Sequence, residues 1–246
     1  MNEIDRDLAP AAEFKHVCDP AGWYGPEAVA FGAGLYRWTN DEIVEIHQAL
    51  DRAETSEPLA LPDVERKLRR LRSELRDGVG FVVVRGLPIA RYSKRKAEVL
   101  FQGLASHFGD PVRSDDNRHA DVTALMFWHG IEDGGPALIP AVSVYNELVK
   151  HRPDLLPAFL REHRLFGFCD GYLSALPGAA TALTRRDTAA LRAFAKTAAE
   201  LRHFIAFETG DVLLLNNWVV LHAPIDPPES CVRLELAVEG FRPTPT

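Results

Sequence analysis

Gly210–Arg233 reads GDVLLLNNWVVLHAPIDPPESCVR. A Gly-Asp turn feeds the apolar run Val212–Leu215, the pair Asn216-Asn217 breaks it, and a second apolar run ends on His222. Short apolar runs bounded by turn signals predict buried strands. Arg233 opens an alternating segment to Val238. Alternation sets Arg233, Glu235 and Ala237 on one face and Leu234, Leu236 and Val238 on the other. The C-terminus therefore reads as successive strands, with a histidine closing one and an arginine opening the next.

The rest of the chain supplies helices first and strands between them. Thr39-Asn40-Asp41-Glu42 carries a capping-box pattern, and Ile43, Ile46, Ala49 and Leu50 follow at helical spacing. Leu61-Pro62-Asp63 starts a second helix, with Val64, Leu68, Leu71 and Leu75 on one face. Phe81–Val84 is a short apolar strand, and a third helix spans about 93–108. Val122–Trp128 is strand-like, Leu138–Val144 is extended, Val144–Leu148 turns into a helix, and 153–163 is helical. One or two short strands fit within 166–177. Thr184 caps an Ala-rich helix to Leu201, and Phe204–Phe207 is extended. Residues 1–37, rich in Pro, Gly and Ala, read as an irregular lead-in. With no repeat or linker, a single domain over 1–246 is expected, of α+β class with a jelly-roll core.

Composition narrows the partners. The 246 residues are 46% hydrophobic, enough for a full core. The net charge of −7 and the scattered basic residues argue against nucleic acid and anionic membranes. No apolar run approaches the roughly 20 residues of a bilayer span. The acidic start MNEIDRDLAPAAEF lacks a basic-plus-apolar leader. Cys18, Cys169 and Cys231 form no CxxC pair, which fits a reducing, cytoplasmic setting.

Several stretches, in order, resemble one branch of the TauD/TfdA-like family. They are LALPDVERKLRRLRSELRDGVGFVVVRGLP (59–88), the helix and FGDPV turn of 97–112, ADVTALMFWHGIEDGGPALIPAVSVYNELVKHRPD (120–154), and the segment 210–238. The resemblance implies a double-stranded β-helix with flanking helices, Fe(II), and 2-oxoglutarate as co-substrate. Two histidines and a carboxylate on one face of iron leave positions open for the 2-oxo acid and O₂. His222 would be the distal ligand. Arg233 would hold the far carboxylate of 2-oxoglutarate, which a planar guanidinium grips bidentately. His119-Ala120-Asp121 offers the remaining pair, since residues two apart share a side on an extended chain. A gap-free register from Gly134-Gly135 instead sets Asp116-Asn117-Arg118 at the motif, which cannot supply the normal ligands.

Three departures from the family point to an altered pocket. Ala137 stands where a hydroxyl often shares the co-substrate carboxylate. Ala237 replaces the second arginine of sulfonate binders, which speaks against taurine-like substrates. Ala223-Pro224 replaces the arginine after the distal histidine. The first reading is a compact oxygenase hydroxylating a small molecule, free or carrier-tethered, with His119, Asp121 and His222 on iron. The second is a fold that has lost iron and serves as a binding or partner protein, or in metal-free chemistry. The third is a jelly-roll metalloenzyme without 2-oxoglutarate, in which Arg233 is structural. Trp128 and His129 read as a packed aromatic and a satisfied histidine. No GxSxG supplies a serine nucleophile, and no GxGxxG or GK[ST] surrounds Gly134-Gly135.

Overall fold

A computed structural model describes residues 14–25, 33–52, 59–112, 120–132, 135–159, 166–169, 172–175, 184–222 and 228–241. Its strands are β1 Leu35–Arg37, β2 Phe81–Arg85, β3 Asp110–Pro111, β4 Val122–Phe127, β5 Ala137–Pro140, β6 Phe166–Cys169, β7 Tyr172–Ala175, β8 His203–Phe204, β9 Val212–Asn216, β10 Val220–His222 and β11 Cys231–Ala237. The helices are α1 Asn40–Arg52, α2 Glu65–Asp77, α3 Lys94–Ala105, α4 Ala141–His151 and α5 Arg185–Glu200. One sheet has six strands in the order β1-β2-β9-β4-β11-β3, and a second has three in the order β10-β5-β8. β6 and β7 form a separate antiparallel pair.

The two sheets face each other between layers of helix, an α+β arrangement. On β2, Val82 and Val84 pack outward against α1, α2 and α3, while Phe81 and Val83 pack inward. The same split holds on β9, where Leu214 is outward and Leu213 and Leu215 are inward. The inner face meets Leu138 of β5 and Val220 of β10. Behind the smaller sheet, Ile139 and Leu221 turn outward onto α4 and α5. Strands covered on both faces bury every side chain, which is why their sequences are continuous apolar runs. Burial of Leu71, Leu75, Phe81 and Leu100 to at most 1% exposure stabilises the layers by roughly 1.5–3 kcal/mol per side chain.

Local chemistry sets the element ends. The hydroxyl of Thr39 accepts from Glu42 N, and Glu42 Oε2 accepts from Thr39 N, completing the box that starts α1. Thr184 and Asp187 do the same for α5. Gly210 has φ +84°, and a Cβ there would lie 2.0 Å from Leu87 O, so the turn into β9 admits only glycine.

Two expectations need correction. The lead-in ends in a strand, because Leu35–Arg37 pairs in parallel with Val83–Arg85. The extended stretch after Gly135 stops at Pro140 and α4 begins at Ala141. There Ala141, Val144, Tyr145 and Leu148 share one buried helix face, and that burial outweighs the weak strand preference of the two valines. The helix expected from residue 153 is present as a 3-10 helix over Pro153–Ala158, the tighter form fitting Pro157, which lacks the N–H an α-helix needs at that point. The remainder of 153–163 beyond residue 159 lies outside the described residues. The lead-in is tied down where it is described. Val17 N donates to Asn146 Oδ1, Asn146 Nδ2 donates to Val17 O, and Ser143 Oγ donates to Trp23 O at 2.6 Å. Among the described residues, no helix is long and apolar enough to cross a membrane.

Candidate active site between the two sheets

β10 is antiparallel to β5, with His222 opposite Leu138. β8 lies on the other side of β5, with His203 opposite the same Leu138. Directly opposed residues share a face, and Leu138 points into the inter-sheet core. His222 and His203 therefore stand on the inner face with Leu138 between them. Two strand spacings set their backbones roughly 10 Å apart. The His203 ring packs on Trp23 at 5.3 Å between centroids, and burial lowers its pKa.

Arg233 lies on the facing sheet. β11 pairs with β4 so that Cys231 faces Phe127, Arg233 faces Leu125 and Glu235 faces Thr123. Leu125 and Phe127 belong to the inter-sheet core, while Leu234 and Leu236 pack on the helix side. Arg233 thus stands on the inner face, as the alternation of the sequence requires. Burial pushes the Cys231 thiol up, and the guanidinium of Arg233 pulls it back.

Around Arg233 runs a polar chain that its sequence position alone does not reveal. Glu235 Oε1 accepts from Arg233 through both Nε and Nη2. Thr123 Oγ1 lies 3.0 Å from Glu235 Oε2 and 3.1 Å from Asn217 Oδ1. Asn217 Nδ2 donates to Ala120 O, fixing which way its amide points. Thr123 is fully buried, and its single hydroxyl proton is within reach of both acceptors. The spacing of Glu235 two residues after Arg233 was the signal available in the sequence. Nothing local to Thr123 pointed to its role.

Asp121 precedes β4 and is 3% exposed. Its Oδ1 accepts from the Trp218 indole at 2.9 Å and its Oδ2 from Val238 N at 2.8 Å. Its backbone joins the same place, since Asp121 N donates to Leu236 O and Asn217 N donates to Asp121 O. A ligating carboxylate is commonly held by such outer hydrogen bonds. The same bonds also satisfy a carboxylate that holds no metal. His119, Asp116 and Arg118 lie outside the described residues, as do Ala223 and Pro224. Among the described residues, no three His, Cys, Asp or Glu side chains cluster closely enough to hold an ion. The donors that can be read, the imidazole of His222 and the carboxylate of Asp121, are of the type Fe(II) takes, and the third expected donor is His119.

Ala137 is buried on β5 opposite Phe204 and offers no hydroxyl to the site. His129 is exposed beyond the end of β4, and Trp128 packs on the helix side with Lys94 5.5 Å from its ring. Neither belongs to the inter-sheet site.

No protein-family model matches the chain. It is similar to the taurine hydroxylase-like protein SAT17 of Stachybotrys chartarum, at 23% identity over 90% of this chain and 77% of that protein. Its structure is similar to crystal structures of the non-heme iron oxygenase OrfP. For the complex with Fe and alpha-ketoglutaric acid, the TM-score is 0.56 at 14% identity, covering 83% of this chain and 94% of OrfP. For the complex with Fe, succinate and (3R,4R)-dihydroxy-L-Arg, the TM-score is 0.55 at 13% identity, covering 82% and 93%. At these identities the likeness shows a shared fold.

Proposed function

We propose that this chain is an Fe(II)/2-oxoglutarate-dependent oxygenase that hydroxylates a small molecule. The observation that supports the reading is that register sets His222 and Arg233 on the inner faces of the two facing sheets. In this reading the sheets form a double-stranded β-helix, or jelly roll, in a single domain acting in the cytoplasm. The complexes of OrfP with Fe, alpha-ketoglutaric acid and hydroxylated arginine support a small-molecule substrate. A substrate tethered to a carrier fits the same chemistry. Nucleic acid and membranes are not partners here.

His222, His119 and Asp121 hold the iron, and Arg233 holds the far carboxylate of 2-oxoglutarate. Bound together, Fe(II) and 2-oxoglutarate supply the oxidising power that lets O₂ hydroxylate a C–H bond. The protein's part is positioning. The Trp218 indole and Val238 N orient the carboxylate of Asp121. Arg233 fixes the co-substrate's depth by charge-assisted hydrogen bonds. The apolar inner face, with Leu125, Leu138 and Leu213 at 1% exposure or less, keeps bulk water from the reacting end.

A second reading rests on Asp121, whose two oxygens are both satisfied by protein donors. In it the fold has lost iron and binds a ligand or partner, or carries out metal-free chemistry. Conversion of 2-oxoglutarate to succinate, followed in air with added Fe(II), separates the two. The oxygenase reading expects slow turnover without substrate that disappears in His222→Ala. Folded protein with no turnover, and no iron bound, would leave the second reading standing.

A further inference from the structure

Arg233 already holds a carboxylate, and it is the protein's own. Glu235 Oε1 takes the Nε and Nη2 side of the guanidinium, and Glu235 Oε2 faces the hydroxyl of Thr123. In the family that the sequence resembles, a hydroxyl often shares the co-substrate's far carboxylate with the arginine, and here an arginine and a hydroxyl together hold Glu235. The position where such a hydroxyl was expected is Ala137, and the inner-face hydroxyl beside Arg233 is the buried Thr123.

We infer that Glu235 is an internal stand-in for the co-substrate's distal carboxylate, occupying Arg233 and weakening 2-oxoglutarate binding until it is displaced. This rests on the assignment of Arg233 as the 2-oxoglutarate anchor. Exchange is physically accessible. The Arg233 side chain is 52% exposed and that of Glu235 is 29% exposed, so the pair gains little from its own attraction. An incoming carboxylate meets a cation that is already neutralised, and it meets Glu235's negative charge at close range. Both effects oppose binding. Thr123 holds Glu235 in the pose that meets Arg233, and a displaced Glu235 turns to water on its open side, so the release costs little.

The rival role for Glu235 is to brace Arg233 in a binding pose. The two differ in sign. Glu235→Gln keeps an oxygen that can accept from Arg233 and removes the charge. A brace survives that change, whereas a competitor is removed by it.

The test is calorimetric binding of 2-oxoglutarate, and of glutarate, to the full chain without iron and with Fe(II). Glutarate lacks the oxo group and so reports on Arg233 without chelating metal. We expect Glu235→Gln to bind both acids about tenfold tighter than the parent, with Thr123→Val shifting affinity the same way by a smaller factor. Equal or weaker binding in Glu235→Gln overturns the inference, as does absence of binding in both folded proteins. If Glu235→Gln does not fold, Thr123→Val decides by the same sign. The two readings fail separately. Tighter iron-free binding without succinate formation keeps the stand-in and removes the oxygenase. Succinate formation with unchanged affinities does the reverse.

Discussion

Two carboxylates occupy the inner side of the β4–β11 pair, and they are held in opposite ways. Asp121 sits at one end, 3% exposed, with both oxygens bound to donors from the β9–β10 turn and the end of β11. Glu235 is one step inward, with its side chain 29% exposed and bound to a half-exposed guanidinium and one hydroxyl. A buried carboxylate with rigid neutral donors is fixed in direction, which is the role of a held metal ligand as well as of a framework group, and removing it strands those donors. A half-open carboxylate paired with a long side chain can exchange partners. The comparison teaches that residue type and spacing propose ligands, whereas burial and donor rigidity decide which carboxylate can change partner.

The comparison breaks first at Asp121. Asp121→Ala would leave the Trp218 indole and Val238 N without acceptors, and chemical denaturation should show a loss of about 2–5 kcal/mol. A loss under about 0.5 kcal/mol would mean that Asp121 is not a framework residue. Next comes Arg233. Replacing it with lysine keeps the charge and loses the fork, so 2-oxoglutarate affinity should fall tenfold or more while the unfolding midpoint moves little. An unchanged affinity would make Arg233 structural. Thr184→Ala, far from both carboxylates, should cost about 1 kcal/mol by uncapping α5, which gauges what a surface device contributes beside the inner ones.

The smallest effect concerns a third carboxylate, Asp211. Burial raises its pKa, the bond from Glu208 N and the nearby Arg85 lower it, and the net shift is upward. A carboxyl whose folded pKa lies above its unfolded one binds protons better in the folded state. Its contribution is therefore most favourable at low pH and declines as pH rises through the two values. Asp211→Asn should remove that part of the acid-side slope in a pH series of unfolding midpoints. An unaltered slope would show that other groups set it.

Much of this was legible in the sequence because it is periodic. Leu68, Leu71 and Leu75 announced the buried face of α2, and the alternation from Arg233 to Val238 gave the two faces of β11 before any coordinates. The sheet faces of His222 and Arg233 were readable because alternation along a strand fixes the side on which each residue lies. What was hidden depends on pairing across the chain. The Leu35–Arg37 strand exists only because β2 lies beside it. The row of His222, Leu138 and His203 requires the register of three strands. The bond from Trp218 to Asp121 joins residues 97 apart. Ala141–Val144 misled because its valines carry strand preference, which burial against α5 overrides. His119 and its neighbours lie in a short polar stretch, SDDNRHAD, that has no periodicity to read.

The central claim is that the space between the sheets binds Fe(II) and 2-oxoglutarate together. The most direct measurement is an anaerobic titration of the full chain with Fe(II) and 2-oxoglutarate, followed by visible absorption. The account predicts a weak charge-transfer band that saturates with one 2-oxoglutarate per chain and is absent in His222→Ala. Folded parent protein that binds no iron and gives no band would contradict it.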